Sequence, residues 1–194
     1  VTFDRLFEFE SALSAYTCAP YVVLTDGCTH AIELAFRYYK VRRCEFTAFT
    51  YLSVVQTMEL LGVKYLLLDE PWQGQYRFHG TNIWDSARCL TPGMYKPGQV
   101  QCLSFGNTKP LHIGKVGAIL LDDADAYARL SQMRSDGRDL RFSPWTKQQI
   151  YPQGFHYCPT LEDCVRGLDL LRTKKPYEVQ NVTYPDLRQF TVVP

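Results

Sequence analysis

Residues 21–40 read YVVLTDGCTHAIELAFRYYK, and this stretch sets the architecture. YVVLT is apolar and rich in β-branched side chains, which suits a short buried strand. From Thr29 to Lys40, the residues Ile32, Ala35, Phe36 and Tyr39 fall on one helical stripe. The intervening TDGC delivers the chain to the start of that helix, so the whole is a strand, turn, helix unit.

Upstream, Phe3, Leu6, Phe7, Phe9 and Leu13 recur at helical spacing between Phe3 and Ala15. Downstream, CEFTAF, the helical YLSVVQTMELLG and VKYLLLD repeat the alternation, which predicts an α/β fold with a mainly parallel sheet. After Glu70, PWQGQYRFHG reads as a turn-rich link into TNIWD, a short strand that stops at Asp85. VQCLSF and VGAILL supply two more strands. Asp122 to Gly137 opens with acids and ends with arginine before glycine, the polarity a helix dipole favours. Thr160 and Asp163 resemble a capping box opening a helix at TLEDCVRGLDLLR, and the last twenty residues read as irregular or strand-like. These signals divide the chain into an α/β domain at 1–142 and a loop, helix and tail at 143–194 that pack on the same domain.

A length of 194 residues fits one compact domain. The formal charge of +1 excludes a strongly basic field. Seven cysteines, odd in number and without a C-x-x-C pair, argue against a zinc ribbon or a disulfide scaffold and predict a reducing, cytoplasmic setting without a structural metal. No apolar run reaches membrane-spanning length.

The stretch SFGNTKPLHIGKVGAIL, Ser104 to Leu120, places one lysine in a polar turn directly after a strand. With TDGCTH at 25–30, FTY at 49–51 and WDSAR at 84–88, it makes four chemistry-bearing turns at predicted strand ends, where open α/β sheets bind ligands. Taken in order these resemble the landmarks of fold-type I pyridoxal-phosphate (PLP) enzymes, and of the DegT/StrS-type nucleotide-sugar aminotransferases in particular. TDGCTHAIELAF is similar to the family's helix-opening S-G-T-x-A, which implies a phosphate site at Gly27, Cys28 and Thr29, with cysteine where the family has glycine. Backbone N–H groups and the helix dipole both attract a dianion there. AFTY resembles A-F-T-F and points to Tyr51 beside the pyridine ring; IWDSAR resembles E-D-A-A-Q and puts Asp85 on the pyridine nitrogen with Arg88 in place of glutamine. SFGNTK resembles S-F-x-x-T-K, which implies Lys109 as the Schiff-base lysine and proton carrier, with Ser104 on the phosphate. GFHYCPTLEDCVRGLDLL is weakly similar to the loop that reaches a neighbouring subunit's phosphate, which implies a homodimer with His156 as the trans contact.

The chain departs from the family at two places. Its link between VKYLLLD and TNIWD is short, and it carries little of the small C-terminal domain that helps close the substrate cleft. The chain is therefore expected to be either a fragment or a pared-down large domain whose open site would admit a bulky amine- or amino-acid-bearing substrate. Aminotransfer is the activity the family implies. A decarboxylase or other α-carbon enzyme acting on an amino-acid adduct, such as a hypermodified base in phage DNA, is the alternative, and a non-catalytic scaffold is a third. Arg37, Lys40, Arg42, Arg43, Arg166, Arg172, Lys174 and Lys175 could track a nucleic-acid backbone or simply be solvated helix faces. His30 and His112 flank the two loops, and His30 stands where the family has a small residue.

Overall fold

The structure is a computed structural model that describes the chain except residues 1, 110, 143, 174–178, 180–182 and 192–194. Helix α1 (Asp4–Thr17) leads into β1 (Tyr21–Thr25), α2 (Cys28–Tyr38), β2 (Arg43–Thr47), α3 (Leu52–Leu61) and β3 (Lys64–Leu68). Then follow β4 (Tyr76–Arg77), β5 (Ile83–Asp85), β6 (Val100–Ser104), β7 (Gly117–Leu121), α4 (Ala124–Arg134) and α5 (Leu161–Thr173), with single 3-10 turns at Trp145–Lys147 and Leu187–Gln189.

The strands order as β1-β7-β6-β5-β4, with β2-β3 as a separate parallel pair. A bridge between Glu45 and His79 joins the two groups just beyond β4. Among the described strands only β5–β6 and β2–β3 pair in parallel; β7 runs against both of its neighbours and β4 against β5. The sheet is thus mixed rather than mainly parallel. One cause is the lysine-bearing loop, which returns as a hairpin from β6 to β7. The other is the 71–80 segment: instead of a plain link it forms β4, antiparallel to β5, and buries Tyr76 and Phe78.

Alternation along the strands builds two cores. Val23, Cys102, Ile119 and Leu121 face α2, α3 and α4, while Val22, Leu24, Leu103, Ala118 and Leu120 face α1 and α5. A sheet covered on both faces explains why these strands read as continuous apolar runs. Helix α5 lies on α1 through Leu6, Phe9, Leu168 and Leu171, so the two helices share one apolar layer. Gly167 permits that approach, since a Cβ there would sit 2.4 Å from the Phe9 ring.

At the edge of the main sheet, β1 is covered from outside. Leu24 N–H donates to Glu10 Oε1 at 2.9 Å, and Leu24 C=O accepts from Arg134 Nη1 at 3.0 Å. Arg134 and Glu10 are themselves paired at 2.7 Å, both buried. Burial pushes the Glu10 carboxyl above its usual range even against the opposing pull of Arg134. One step along, Asp26 N–H donates to Tyr157 C=O. The edge of β1 is therefore sealed by an ion pair and a loop.

Candidate active site

Thr25 ends β1, and Asp26 and Gly27 turn the chain into α2. No side chain caps this helix, so its first-turn N–H groups open into a cavity of about 690 Å³. Gly117, the first residue of β7, lies against the same turn. A Cβ at Gly117 would stand 2.5 Å from Cys28 N and Gly27 C, so only glycine lets the strand approach the helix start this closely. Thr29 Oγ1 is hydrogen bonded to Ser53 Oγ at 2.8 Å, tying the phosphate-like turn to the first turn of α3. Cys28 Sγ–H donates to Cys102 C=O, and burial, followed by the charge of Asp85, holds its thiol well above the usual range. It stays a protonated thiol.

The loop from Phe105 to Val116 hangs on short backbone bonds: Phe105 N–H to Val116 C=O, and Ile113 and Gly114 N–H to Phe105 C=O. Half-buried Lys109 projects from this loop into the cavity together with Ser104. Opposite, Asp85 ends β5 at 5% exposure. Its Oδ1 accepts from Ala87 N–H and its Oδ2 from the Tyr76 hydroxyl, each at 2.9 Å. With that proton committed, Thr50 donates to the Tyr76 oxygen at 2.7 Å. Burial pushes the Asp85 carboxyl up; the Ala87 and Tyr76 hydrogen bonds, Lys109 and Arg88 oppose it. Burial, and next the charge of Asp85, likewise keeps the Tyr76 phenol well above its usual range.

Gly27, Cys28, Thr29, Tyr51, Asp85, Arg88, Ser104 and Lys109 thus all line one cavity. Tyr51 stands at the rim, 63% exposed and edge-on to Tyr184. Arg88 points inward, donating to Thr108 C=O at 2.8 Å and to the Tyr184 hydroxyl at 3.3 Å. His156 is not among the lining residues. It pairs with Asp136 and is 87% exposed at its side chain. His112 is exposed. Of the basic residues that could have tracked a polyanion, Arg37 is bound to Glu33, Arg43 lies near Glu45 and Arg172 near Asp169; Lys174 and Lys175 fall outside the described residues. These are the contacts of solvated, ion-paired helix and strand faces.

Sequence reasoning missed four aromatic residues of the site. Tyr76 was hidden in a turn-like stretch. Trp72 and Tyr184 stack at 5.9 Å across more than a hundred residues, and Tyr157 stacks on His30 at 3.7 Å with an interplanar angle of 4°. Only the hairpin and the C-terminal segment bring them there.

An α2 amide turn, a lysine on a braced loop and a buried carboxylate thus face a shared cavity, on a fold that is that of the large domain of PLP-dependent transferases. The solved structures agree on the fold. AtS13 from Actinomadura melliaura aligns over 89% of this chain and 60% of its own at 20% identity and TM-score 0.75. The sugar aminotransferase CalS13 from Micromonospora echinospora aligns over 87% and 60% at 16% identity and TM-score 0.72. NtdA from Bacillus subtilis, solved with its bound cofactor PMP, aligns over 87% and 48% at 16% identity and TM-score 0.72. The chain spans about 60% or less of the length of these structures. By sequence, the DegT/DnrJ/EryC1/StrS aminotransferase family matches residues 2–72, from α1 to just beyond β3. Comparison with curated protein sequences finds no match. No helix among the described residues is long and apolar enough to cross a membrane.

Proposed function

We propose that the chain binds PLP through Lys109 and acts on the amino group of a substrate in the manner of an aminotransferase. The observation that carries this reading is the convergence of Lys109, Asp85 and the α2 amides on one cavity. The residues fit the group. The open amides of the first turn, with Thr29 and Ser104, suit a phosphate. Lys109 offers an amine for an aldehyde. Asp85 is a buried carboxylate whose cost of ionisation a cationic ring N–H would offset. When bound, PLP supplies an electron sink for charge developed at the carbon beside the substrate amine.

Each residue then has a task that its surroundings support. Ala87 N–H and Tyr76 O–H hold both Asp85 oxygens, so the carboxylate has a fixed orientation in which it would receive a ring N–H. Lys109 would hold the cofactor aldehyde, and its amine, tethered at the cavity, would carry the proton at the substrate carbon. Arg88, buried and held by Thr108 C=O and the Tyr184 hydroxyl, presents a fixed positive charge to the same cavity, suited to an anionic group of the cofactor or substrate. Transamination and decarboxylation differ in which bond lies perpendicular to the ring, and we assign transamination because sugar aminotransferases share this fold. We further propose a homodimer, in which the exposed His156 meets the neighbouring subunit's site.

The test is an absorption spectrum of the protein with PLP, before and after borohydride reduction, with peptide mapping of the adduct. A reduced adduct on Lys109 that disappears in Lys109→Ala is the expected result. A protein that gains no visible band and no adduct refutes the assignment.

A further inference from the structure

Resting on the cofactor reading, we propose that His30 is a phosphate-binding residue of this site, and that Asp26 positions it by fixing which ring nitrogen is free. His30 is the third residue of α2, adjoining the open amides of Cys28 and Thr29, and it lines the same cavity. Asp26, one turn earlier, takes its Nδ1 through Oδ1. Nδ1 therefore carries a proton, and Nε2 is the nitrogen left to address a ligand. The ring cannot swing away: it lies flat on Tyr157 at 3.7 Å, Tyr157 is held at its hydroxyl by Glu33, and Tyr157 C=O accepts from Asp26 N–H.

The electrostatics favour an anion as the partner. An imidazolium at a helix N-terminus is opposed by the helix dipole, so protonation of His30 gains from Asp26 on one side and from a bound dianion on the other. The charged and titratable groups around it are Asp26 at Nδ1, Tyr157 on the ring face with Glu33 behind it, the neighbouring Cys28 thiol, and Arg88, Lys109, Lys115 and Asp85 across the cavity. Among these, Arg88, Lys109 and Lys115 are cations. A phosphate placed at the amide turn adds the negative charge that lets Nε2 take a proton and donate it as a charge-assisted hydrogen bond. Phosphate binding should then draw a proton from solution.

Calorimetric titration of the full chain with pyridoxine 5′-phosphate at pH 7.5, in buffers of different ionisation enthalpy, counts that proton. This probe lacks the aldehyde, so it reports the phosphate end without Lys109 chemistry. Protonation of one imidazole accounts for at most one proton taken up per ligand. His30→Gln should lose that uptake and bind about 10- to 100-fold more weakly, as expected for one charge-assisted hydrogen bond. The ligand's own titrations are common to both proteins and cancel. Asp26→Asn, which keeps the contact but removes the charge, should take up fewer protons at pH 7.5 and recover uptake at lower pH. Absence of uptake by the native chain overturns the proposal, as does uptake that persists in His30→Gln. If PLP is trapped on Lys109 in all three proteins while these readouts are equal, only the role of His30 fails; if nothing is trapped and the probe does not bind, the cofactor reading fails with it.

Discussion

Replacing Arg134 by methionine tests whether the buried ion pair holds the edge of the sheet. The change removes guanidinium contacts to Glu10, Leu24 C=O and the Ser135 hydroxyl, and leaves a carboxylate that is 7% exposed without its counter-charge. Breaking a buried pair from one side costs about 3–5 kcal/mol, a large fraction of the stability of a domain this size. Glu10 already has a raised pKa through burial, and losing Arg134 removes the chief opposing influence. A carboxyl whose folded pKa lies above its unfolded one contributes stability that is full below the unfolded value and is lost as pH rises through the folded one. The deficit of Arg134→Met should therefore be largest near pH 8 and shrink towards pH 5. Glu10→Gln added to Arg134→Met keeps an acceptor for Leu24 N–H and removes the stranded charge. The double variant should then be more stable than Arg134→Met alone at pH 8. Urea unfolding at both pH values, with the denaturant slope checked for constancy, gives the numbers. A single variant within about 1 kcal/mol of the native chain at pH 8, or a double variant no better than the single, refutes the reasoning.

Two further outcomes follow from the cavity. Asp85→Asn removes a carboxyl whose pKa is raised chiefly by burial, so its effect on the ligand-free chain is opposite to its effect on chemistry. The loss of stability that Asp85 imposes begins as pH rises above about 3.9, so urea unfolding at pH 8 should find the variant at least as stable as the native chain, with the gap closing towards pH 4. Turnover should fall by about 100-fold or more, as when one preorganised electrostatic partner of a reacting group is removed. In Gly117→Ala, the Cβ 2.5 Å from Cys28 N must push the α2 turn back by nearly 1 Å. PLP affinity, measured by absorbance titration, should drop by about tenfold or more while unfolding shows a loss of about 1–3 kcal/mol; unchanged affinity would show that the amides are not the phosphate site.

The βαβ alternation, the Asp85 terminus of β5 and the lysine loop were legible because each is written in contiguous residues with local periodicity or turn chemistry. The sheet's directions were less so. Strand polarity depends on whether a connection crosses over or doubles back, and the loop around Lys109 carries no length signal that separates the two. Tyr76 escaped notice for a related reason: PWQGQYRFHG has the composition of a turn, and only pairing with β5 brings its phenol to Asp85. His30 and Asp26, four residues apart on one helical turn, could be matched from sequence spacing. The flat contact with Tyr157 could not, because 126 residues separate the two rings.

The sealed edge of β1 also has a bearing on how copies of the molecule can join. With both backbone groups of Leu24 committed to Glu10 and Arg134 and the next amide held by Tyr157, an incoming strand finds no ladder to extend at that end. The opposite end differs: β3 pairs with β2 on one side, and Leu60 and Leu66 stand 69% and 53% exposed beside it. The strand layer is directional as a building block: it is closed at β1, beside the turn into α2, and strand addition to the β2-β3 pair would lengthen it away from the cavity.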